Sequence, residues 1–407
     1  MSSAASGIGA NAPRISPWSA TSVTDLHFGV GRVGRIAEDA AALCPADKAI
    51  LIVADGILEE LGSLREMRRA LEGAGARVAV YDAVAGDPKE AQVDAAAELA
   101  RATDAGLVIC IGGGAALDLG KLAACVAGER DAVARDFALC ARAFPMTALP
   151  KICIPTTAGT GSEVTRTSIV SGEDGAKLWH WGEALLPRYA LLDPLMTVTL
   201  PPHLTAWTGL DAATHAIEAA TNRWSSPAAR LYAHEALRQI DRWLPTAVDD
   251  PENLTARSKA LWGATLAGLA LHLASASLAH SMSHALASLG PAHHGHATAL
   301  ALEIVLPWQA EAEDPDAEDP DAEDAPFEGV AEAIGVSRAE LGAWFSNLID
   351  RCGVERRLDR SFSHISPEAL AAAMSSPANR PMVDASVRSP SASELRDFSA
   401  RLLAFAA

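Results

Sequence analysis

The residues best suited to chemistry are a carboxylate and several histidines in the second half of the chain. Asp211 and His215 lie four residues apart in a helical stretch, so their side chains share one helix face and can reach a common ion. His280 and His284 have the same spacing, and His294 follows in a histidine-rich turn. Carboxylate and imidazole ligands without a thiolate suit Fe(II) or Zn(II) better than Mg(II) or Ca(II). The sequence therefore predicts a transition-metal site that polarises an alcohol or carbonyl oxygen.

A glycine triplet in the first half is suited to binding a phosphate group. Gly112, Gly113 and Gly114 follow an apolar run and open a helix that contains Asp118 and Lys121. Glycines let backbone N–H groups approach a pyrophosphate closely, and a helix N-terminus adds positive potential. A tight turn between a strand and a helix explains the triplet equally well, but its place at the end of a strand favours a nucleotide site.

Two further polar segments also follow apolar runs. Small hydroxyl residues and glycines fill the loop from Pro155 to Glu163, and it includes Thr156, Thr157 and Ser162. Asp55 ends the first apolar run, where its carboxylate would accept hydrogen bonds from the adenosine ribose. The same charge would repel a 2′-phosphate, so we expect NAD rather than NADP.

The elements that must position these residues differ between the two halves of the chain. The first half alternates short apolar runs with helical patterns, which predicts a parallel, doubly wound α/β sheet. Its strands are predicted at 49–54, 78–81, 107–111 and 152–154, and its helices at 58–71, 91–102 and 114–126. Beyond Pro201 only helical stretches remain: 203–221, 227–243, 255–286, 296–309, 327–353 and 392–405. We therefore predict an α/β domain at 23–200, an all-helical domain at 201–407, and a cleft between them for the chemistry.

The composition limits the partners and the cellular location that the sequence allows. The 407 residues carry a formal net charge of −18, which argues against nucleic acid or an anionic membrane as a partner. Nine of the 51 acidic residues lie in the near-repeat at 311–324, which we interpret as a solvated surface insertion. Residues 1–22 read as a flexible extension without the features of a secretory signal. Six scattered cysteines are typical of a reducing compartment, so a cytoplasmic location is expected.

Several of these segments together resemble the iron-containing, or group III, alcohol dehydrogenase family. The resemblance covers roughly residues 25 to 405. Its motifs are Gly112-Gly113-Gly114 with Asp118 and Lys121, Pro155-Thr156-Thr157 through Ser162-Glu163, Leu192-Asp193-Pro194, Thr208-Gly209-Leu210-Asp211 with His215-Ala216-Ile217-Glu218, and His280 to His284 followed by His294-Gly295. It implies a Rossmann-like α/β domain followed by a helical domain, NAD(P)-dependent interconversion of an alcohol with an aldehyde or ketone, and homodimers or higher oligomers.

The resemblance also assigns roles by position. The implied metal ligands are Asp211, His215, His280 and His294, with Fe(II), or alternatively Zn(II), as the ion. His284 falls on an unliganded histidine near the nicotinamide, a candidate proton relay. The implied cofactor contacts are Asp55, Gly112, Gly113, Gly114, Asp118, Thr156, Thr157, Ser162 and Lys177. The chain departs from the family pattern at Asp87, Ala115 and His293, where Asn, Ser and Pro are common.

Three alternatives remain open from the sequence. A maleylacetate reductase shares the fold and works without a metal, but all four ligand positions are filled here. A relative of dehydroquinate synthase, a metal- and NAD-using lyase, would need several basic residues near the histidines, and the helical half offers few. A non-enzymatic binding protein has no use for a nucleotide loop facing a metal site. The sequence therefore favours a metal-dependent dehydrogenase acting on a small alcohol or aldehyde.

Overall fold

The computed structural model describes residues 24–84, 86–173, 175–311 and 326–406. The N-terminal extension expected at 1–22 and the acidic segment from 312 to 324 lie outside the described residues.

A parallel sheet of six strands forms the first half. Its strands are β1 (Asp25–Phe28), β2 (Ala49–Asp55), β3 (Arg77–Val84), β4 (Ala105–Gly112), β5 (Lys151–Pro155) and β8 (Tyr189–Leu192). The spatial order is β1-β8-β5-β4-β2-β3, with every pair parallel. The central strands are continuous apolar runs because helices cover both faces of the sheet, as in other doubly wound folds. The predicted fold class is confirmed.

The strand order fixes where a ligand can bind. Helices of the first half are α1 (Ile36–Leu43), α2 (Ile57–Glu60), α3 (Ser63–Gly73), α4 (Glu90–Ala102) and α5 (Gly114–Ala127). From β2 the chain moves outward to β3, whereas from β4 it moves the other way to β5 and β8. The connections thus diverge between β2 and β4, and the carboxyl ends of these neighbouring strands border the usual ligand crevice of such sheets.

The second half consists of helices around a core rich in Ala and Leu. They are α6 (Pro202–Thr221), α7 (Pro227–Asp249), α8 (Leu254–Leu273), α9 (Leu278–Leu289), α10 (His294–Ala310), α11 (Pro326–Ile334), α12 (Leu341–Arg351), α13 (Pro367–Met374), α14 (Arg380–Ala385) and α15 (Ala392–Leu403). Helix α6 lies at the centre and is buried from Thr208 to Thr221. No single described helix passes the length and hydropathy criteria for a membrane span; α8 and α9 pass only as a pair bent by 97°.

Three predicted helices are each two helices in the structure. The stretch 255–286 breaks between α8 and α9, where the Asn222 side chain donates to the Ser275 carbonyl oxygen at 2.5 Å. The stretch 327–353 breaks after Gly335, which has a φ of 76°, and a capping box of Ser337 and Glu340 starts the next turn. The pattern 58–71 breaks at Gly62, with a φ of 87°. At the last two breaks, a glycine with positive φ ends the first helix although the apolar residues continue with helical periodicity.

The sequence did not predict the two short strands β1 and β8 or an antiparallel hairpin. The hairpin consists of β6 (Thr167–Ser171) and β7 (Lys177–Trp181) and lies apart from the main sheet. It contacts α5 and α9, so it bridges the sheet and the helical half beside the cleft.

Candidate metal centre and cofactor cleft

Helix α6 places two of the predicted ligands, and a glycine brings a third to them. Asp211 and His215 lie one turn apart on α6, both buried. A Cβ atom on Gly295, in the first turn of α10, would lie 2.5 Å from the Trp207 carbonyl oxygen and 3.3 Å from the Asp211 Cβ. Only glycine therefore lets α10 approach α6 this closely. This approach brings His294, the first residue of α10, to the carboxylate of Asp211.

The four predicted ligand side chains converge on one point. The Asp211 Oδ1 atom lies 3.6 Å from His280 Nε2 and 3.6 Å from His294 Nε2, and Asp211 Oδ2 lies 4.0 Å from His215 Nδ1. Facing ligand atoms of Asp211, His215 and His280 lie within 4.8 Å of one another. A carboxylate and imidazoles around one centre are the donor set of Fe(II) and Zn(II) sites.

The same atoms lack partners within the part of the chain that the structure describes. Asp211 Oδ1, His215 Nδ1 and His280 Nε2 are buried and accept or donate no hydrogen bond there. Buried polar atoms are otherwise paired in folded proteins, because an unpaired one costs about 1–3 kcal/mol. Three such atoms facing each other fit a divalent cation, which would satisfy all of them at once.

The protonation states of Asp211, His215 and His294 also suit a cation. Burial opposes ionisation of Asp211, but favourable interactions of its carboxylate with His215, His294 and His280 outweigh it and hold the pKa of this carboxyl well below its usual value. Burial lowers the pKa of His215 and of His294 to about 4, so both rings are neutral at pH 7 and can offer a lone pair. Burial also disfavours the charged form of His280, but the carboxylates of Glu218 and Asp211 raise its pKa to about 10.

A buried glutamate supports His280 from behind. Glu218 lies on α6 one turn beyond His215, and its Oε2 atom lies 2.6 Å from His280 Nδ1. Sequence reasoning quoted this residue within a motif and gave it no role. The spacing was the available signal, because positions 211, 215 and 218 share one face of the helix.

His284 lies beside the ligands, with its ring centroid 5.2 Å from that of His294 and 6.2 Å from that of His280. Its side chain is buried on the same face of α9 as His280. Burial lowers the pKa of His284 well below its ordinary value, and unfavourable interactions with His294, His280 and Lys177 lower it further. A neutral imidazole at this distance can accept and pass on a proton.

The predicted nucleotide residues meet at the carboxyl ends of β2, β4 and β5. Asp55 ends β2, and a Cβ atom on Gly112 would lie 3.3 Å from its Cβ. Gly113 precedes the first turn of α5, and its own Cβ position would meet Thr157 Cγ2 at 3.3 Å. Thr156 donates its N–H to the Gly112 carbonyl oxygen at 2.9 Å. The N–H groups of Gly113 and Gly114 at the start of α5 therefore border the crevice between β2 and β4.

Two of the predicted cofactor residues, Asp118 and Ser162, are engaged within the protein. Ser162 Oγ donates to Asp118 Oδ1 at 2.5 Å, and the Ile169 N–H donates to Asp118 Oδ2 at 2.9 Å. The fully buried Lys121 donates to the Ser162 carbonyl oxygen at 2.8 Å and to the Thr167 carbonyl oxygen at 2.6 Å. This network attaches the loop of Ser162 and strand β6 to α5.

Lys177 stands at the start of β7 on the side of the histidines. Its Nζ forms an ion pair of 2.6 Å with Asp87 Oδ2, although the sequence gave Lys177 only a nucleotide contact. Asp87 is one of the departures from the family pattern. Its carboxylate offsets the lysine charge beside His284 and His294.

Comparison with known proteins establishes the family. The family model described as "Iron-containing alcohol dehydrogenase" matches residues 23–194, and "Fe-containing alcohol dehydrogenase family, C-terminal" matches residues 205–376. The chain belongs to the iron-containing alcohol dehydrogenase family, as its motifs predicted. It is an oxidoreductase of a family that binds a metal and NAD.

Individual relatives agree with this assignment. The chain is 37% identical over 281 residues to long-chain-alcohol dehydrogenase 1 of Geobacillus thermodenitrificans, covering 69% of this chain and 70% of the relative. It is 34% identical over 269 residues to 1-propanol dehydrogenase PduQ of Salmonella typhimurium, covering 65% and 68%. Its fold matches the crystal structure of sulfoacetaldehyde reductase from Bifidobacterium kashiwanohense in complex with NAD+, with a TM-score of 0.83, 27% identity and coverage of 95% of this chain and 99% of that chain.

Proposed function

We propose that the chain is a metal-dependent, NAD-linked dehydrogenase that interconverts a small primary alcohol and its aldehyde. The observation that carries the proposal is the convergence of three unpartnered buried atoms of Asp211, His215 and His280. With His294 beside them, these side chains would hold Fe(II) or, alternatively, Zn(II). A reductase that works without a metal has no reason to keep these atoms buried and unpaired.

The cofactor is proposed to lie in the crevice between β2 and β4. The N–H groups at Gly113 and Gly114 would bind its pyrophosphate, with Gly112 allowing the close approach, and Thr156 and Thr157 forming the opposite wall. Asp55 would accept the ribose hydroxyls, which favours NAD over NADP. Asp118 and Ser162 would act by fixing the loop that carries this wall, since their side chains bond to each other.

The proposed roles of the metal, the nicotinamide and the protein's own residues follow from this placement. When bound, the metal supplies a Lewis acid and the nicotinamide supplies the hydride donor or acceptor. The chain's own part is to hold the ligands rigidly from three helices and to keep water away from a buried cluster. His284, neutral and adjacent, would take the hydroxyl proton of an alcohol or return one to an aldehyde. Lys177 would lie near the nucleotide, its charge balanced by Asp87.

Two further parts of the proposal concern organisation. We assign residues 23–200 to the cofactor-binding domain and 201–407 to the metal-binding domain; the last strand of the sheet ends at Leu192 and α6 begins at Pro202. The homodimer or higher oligomer and the cytoplasmic location implied by the sequence stay predictions.

The experiment is anaerobic oxidation of NADH with a panel of small aldehydes. Protein treated with a chelator is compared with protein reloaded with Fe(II) or with Zn(II). Turnover that is lost on chelation and restored by one ion supports the proposal and identifies the ion. Turnover that is indifferent to chelation would contradict the metal assignment and favour a reductase of the maleylacetate type.

A further inference from the structure

Glu218 is a buried carboxylate that accepts hydrogen bonds from three donors of one short segment. Glu218 is only 1% exposed to solvent. Oε2 accepts from the Ser277 N–H at 2.8 Å and from His280 Nδ1 at 2.6 Å, and Oε1 accepts from the Ala279 N–H at 2.7 Å. A buried carboxylate is costly unless such bonds compensate for lost hydration. The three hydrogen bonds from residues 277–280 offset this cost.

Two of the three bonds fix the start of helix α9. The N-terminal N–H groups of a helix have no partner within it, and the Ser277 side chain makes no capping bond. A carboxylate from a different helix, α6, supplies the missing acceptors. The negative charge also interacts favourably with the helix N-terminus. Glu218 therefore sets the position of α9, which carries His280 and His284, relative to the helix that carries Asp211 and His215.

The third bond fixes the imidazole of His280 itself. With Nδ1–H donated to the carboxylate, the lone pair of the neutral ring is on Nε2. That atom is the one without a partner in the described chain, and it lies 3.6 Å from Asp211 Oδ1. One glutamate thus determines the place, the orientation and the tautomer of a candidate ligand.

We propose that Glu218 is the positioning residue that makes His280 competent to bind the metal, although it touches neither the metal nor the substrate. The inference rests on the proposed metal site and adds a supporting carboxylate to it. A carboxylate behind a ligand histidine raises the ligand's basicity, and loss of such a partner typically weakens metal affinity by about 10–100-fold.

The test compares Glu218→Gln with the matched control Asp193→Asn. Asp193 is also 1% exposed and also accepts three N–H groups, those of Gly31, Val33 and Leu195, but it follows strand β8 and contacts none of the candidate ligands. For each metal-free protein, the Kd for Zn(II) is measured by competition with a chromophoric chelator. The visible absorption of Co(II)-loaded protein and the unfolding of metal-free protein in urea are recorded in parallel.

We expect Glu218→Gln to raise the Kd for Zn(II) by about 10–100-fold and to alter the Co(II) spectrum. Asp193→Asn should destabilise the protein comparably while changing the Kd by less than about threefold. If the glutamine variant does not fold, Glu218→Asp replaces it in the test. Its side chain is one methylene shorter, so the carboxylate withdraws from His280 and the Kd for Zn(II) should also rise. If the wild type binds Zn(II) tightly and the Glu218 variants bind it with the same Kd, this inference is wrong but the proposed function is not. A wild-type protein without Zn(II) affinity overturns the proposed function as well.

Discussion

The most informative perturbation of the interface between the two halves is Gly161→Ala. Gly161 lies in the loop after β5 with a φ of 63°, and a Cβ atom there would lie 2.4 Å from the Cα of Gly268 on α8. The approach is mutual, because a Cβ on Gly268 would lie 2.6 Å from the Gly161 Cα. Backbone meets backbone here, so no side chain can turn aside to make room.

The expected loss of stability has two parts. An alanine in the left-handed region costs about 1–2 kcal/mol, and forcing extra volume into a packed contact costs about 1–3 kcal/mol. We therefore expect Gly161→Ala to lower the free energy of unfolding by about 2–5 kcal/mol. Gly335→Ala is the matched control, because its φ is 76° and nothing lies within 4 Å of the new Cβ. The control should lose only the first part, about 1–2 kcal/mol.

The assay is urea unfolding of both variants and of the wild type, followed by titration with NADH. The loop of Gly161 also carries the proposed cofactor wall, so displacing it should raise the Kd for NADH by roughly tenfold, or about 1.4 kcal/mol. Gly335→Ala should leave that Kd unchanged. Equal losses of stability in the two variants would refute the reasoning, because the loop and α8 would then separate without cost.

Three other predictions follow from single residues. Acidifying metal-free protein from pH 7 to pH 4.5 should lower the free energy of unfolding by at least about 2 kcal/mol in urea titrations. Burial lowers the pKa of His215 from 6.5 to about 4, so the unfolded chain binds this proton first, and the lowered pKa of the partly exposed His294 adds to the loss. His280, whose pKa is raised to about 10, already contributes its full stabilisation below pH 6.5, so a rise in stability on acidification would contradict the account. Iodoacetamide at pH 8 should label the exposed Cys140 well before Cys352, whose pKa burial raises to about 12; peptide mass spectrometry would show the reverse order if the burial were wrong. Asp55→Ser should reduce the preference for NADH over NADPH by roughly tenfold in KM, and an unchanged preference would place the ribose elsewhere.

The sequence predicted the central strands and the shared helix face of Asp211 and His215 because their signals are local. The apolar runs at 49–54 and 107–111 are long enough to identify buried strands without further context. The spacing of Asp211 and His215 likewise defines one helix face from the sequence alone. In both cases the pattern and the structure depend on residues within a few positions of each other.

Features that depend on distant residues were not predictable in the same way. Strand β1 pairs with β8, more than 160 residues away, and each has only four residues. The break between α8 and α9 lies in a run of Ala and Ser with good helical periodicity. It is stabilised by Asn222, just after α6, whose amide donates to the Ser275 carbonyl oxygen, and by Glu218 of α6, whose carboxylate accepts from the Ser277 N–H. The role of Glu218 was invisible for the same reason, since its partners lie about 60 residues further along.

The most direct test of the central claim is to measure bound metal, NADH affinity and aldehyde reduction together for the wild type and Asp211→Asn. Asn keeps the shape of the side chain and removes the charge that the three histidines surround. We predict about one metal ion per wild-type chain and, in the variant, loss of both metal and turnover with NADH affinity unchanged. A variant that still reduces aldehydes without metal would contradict the account.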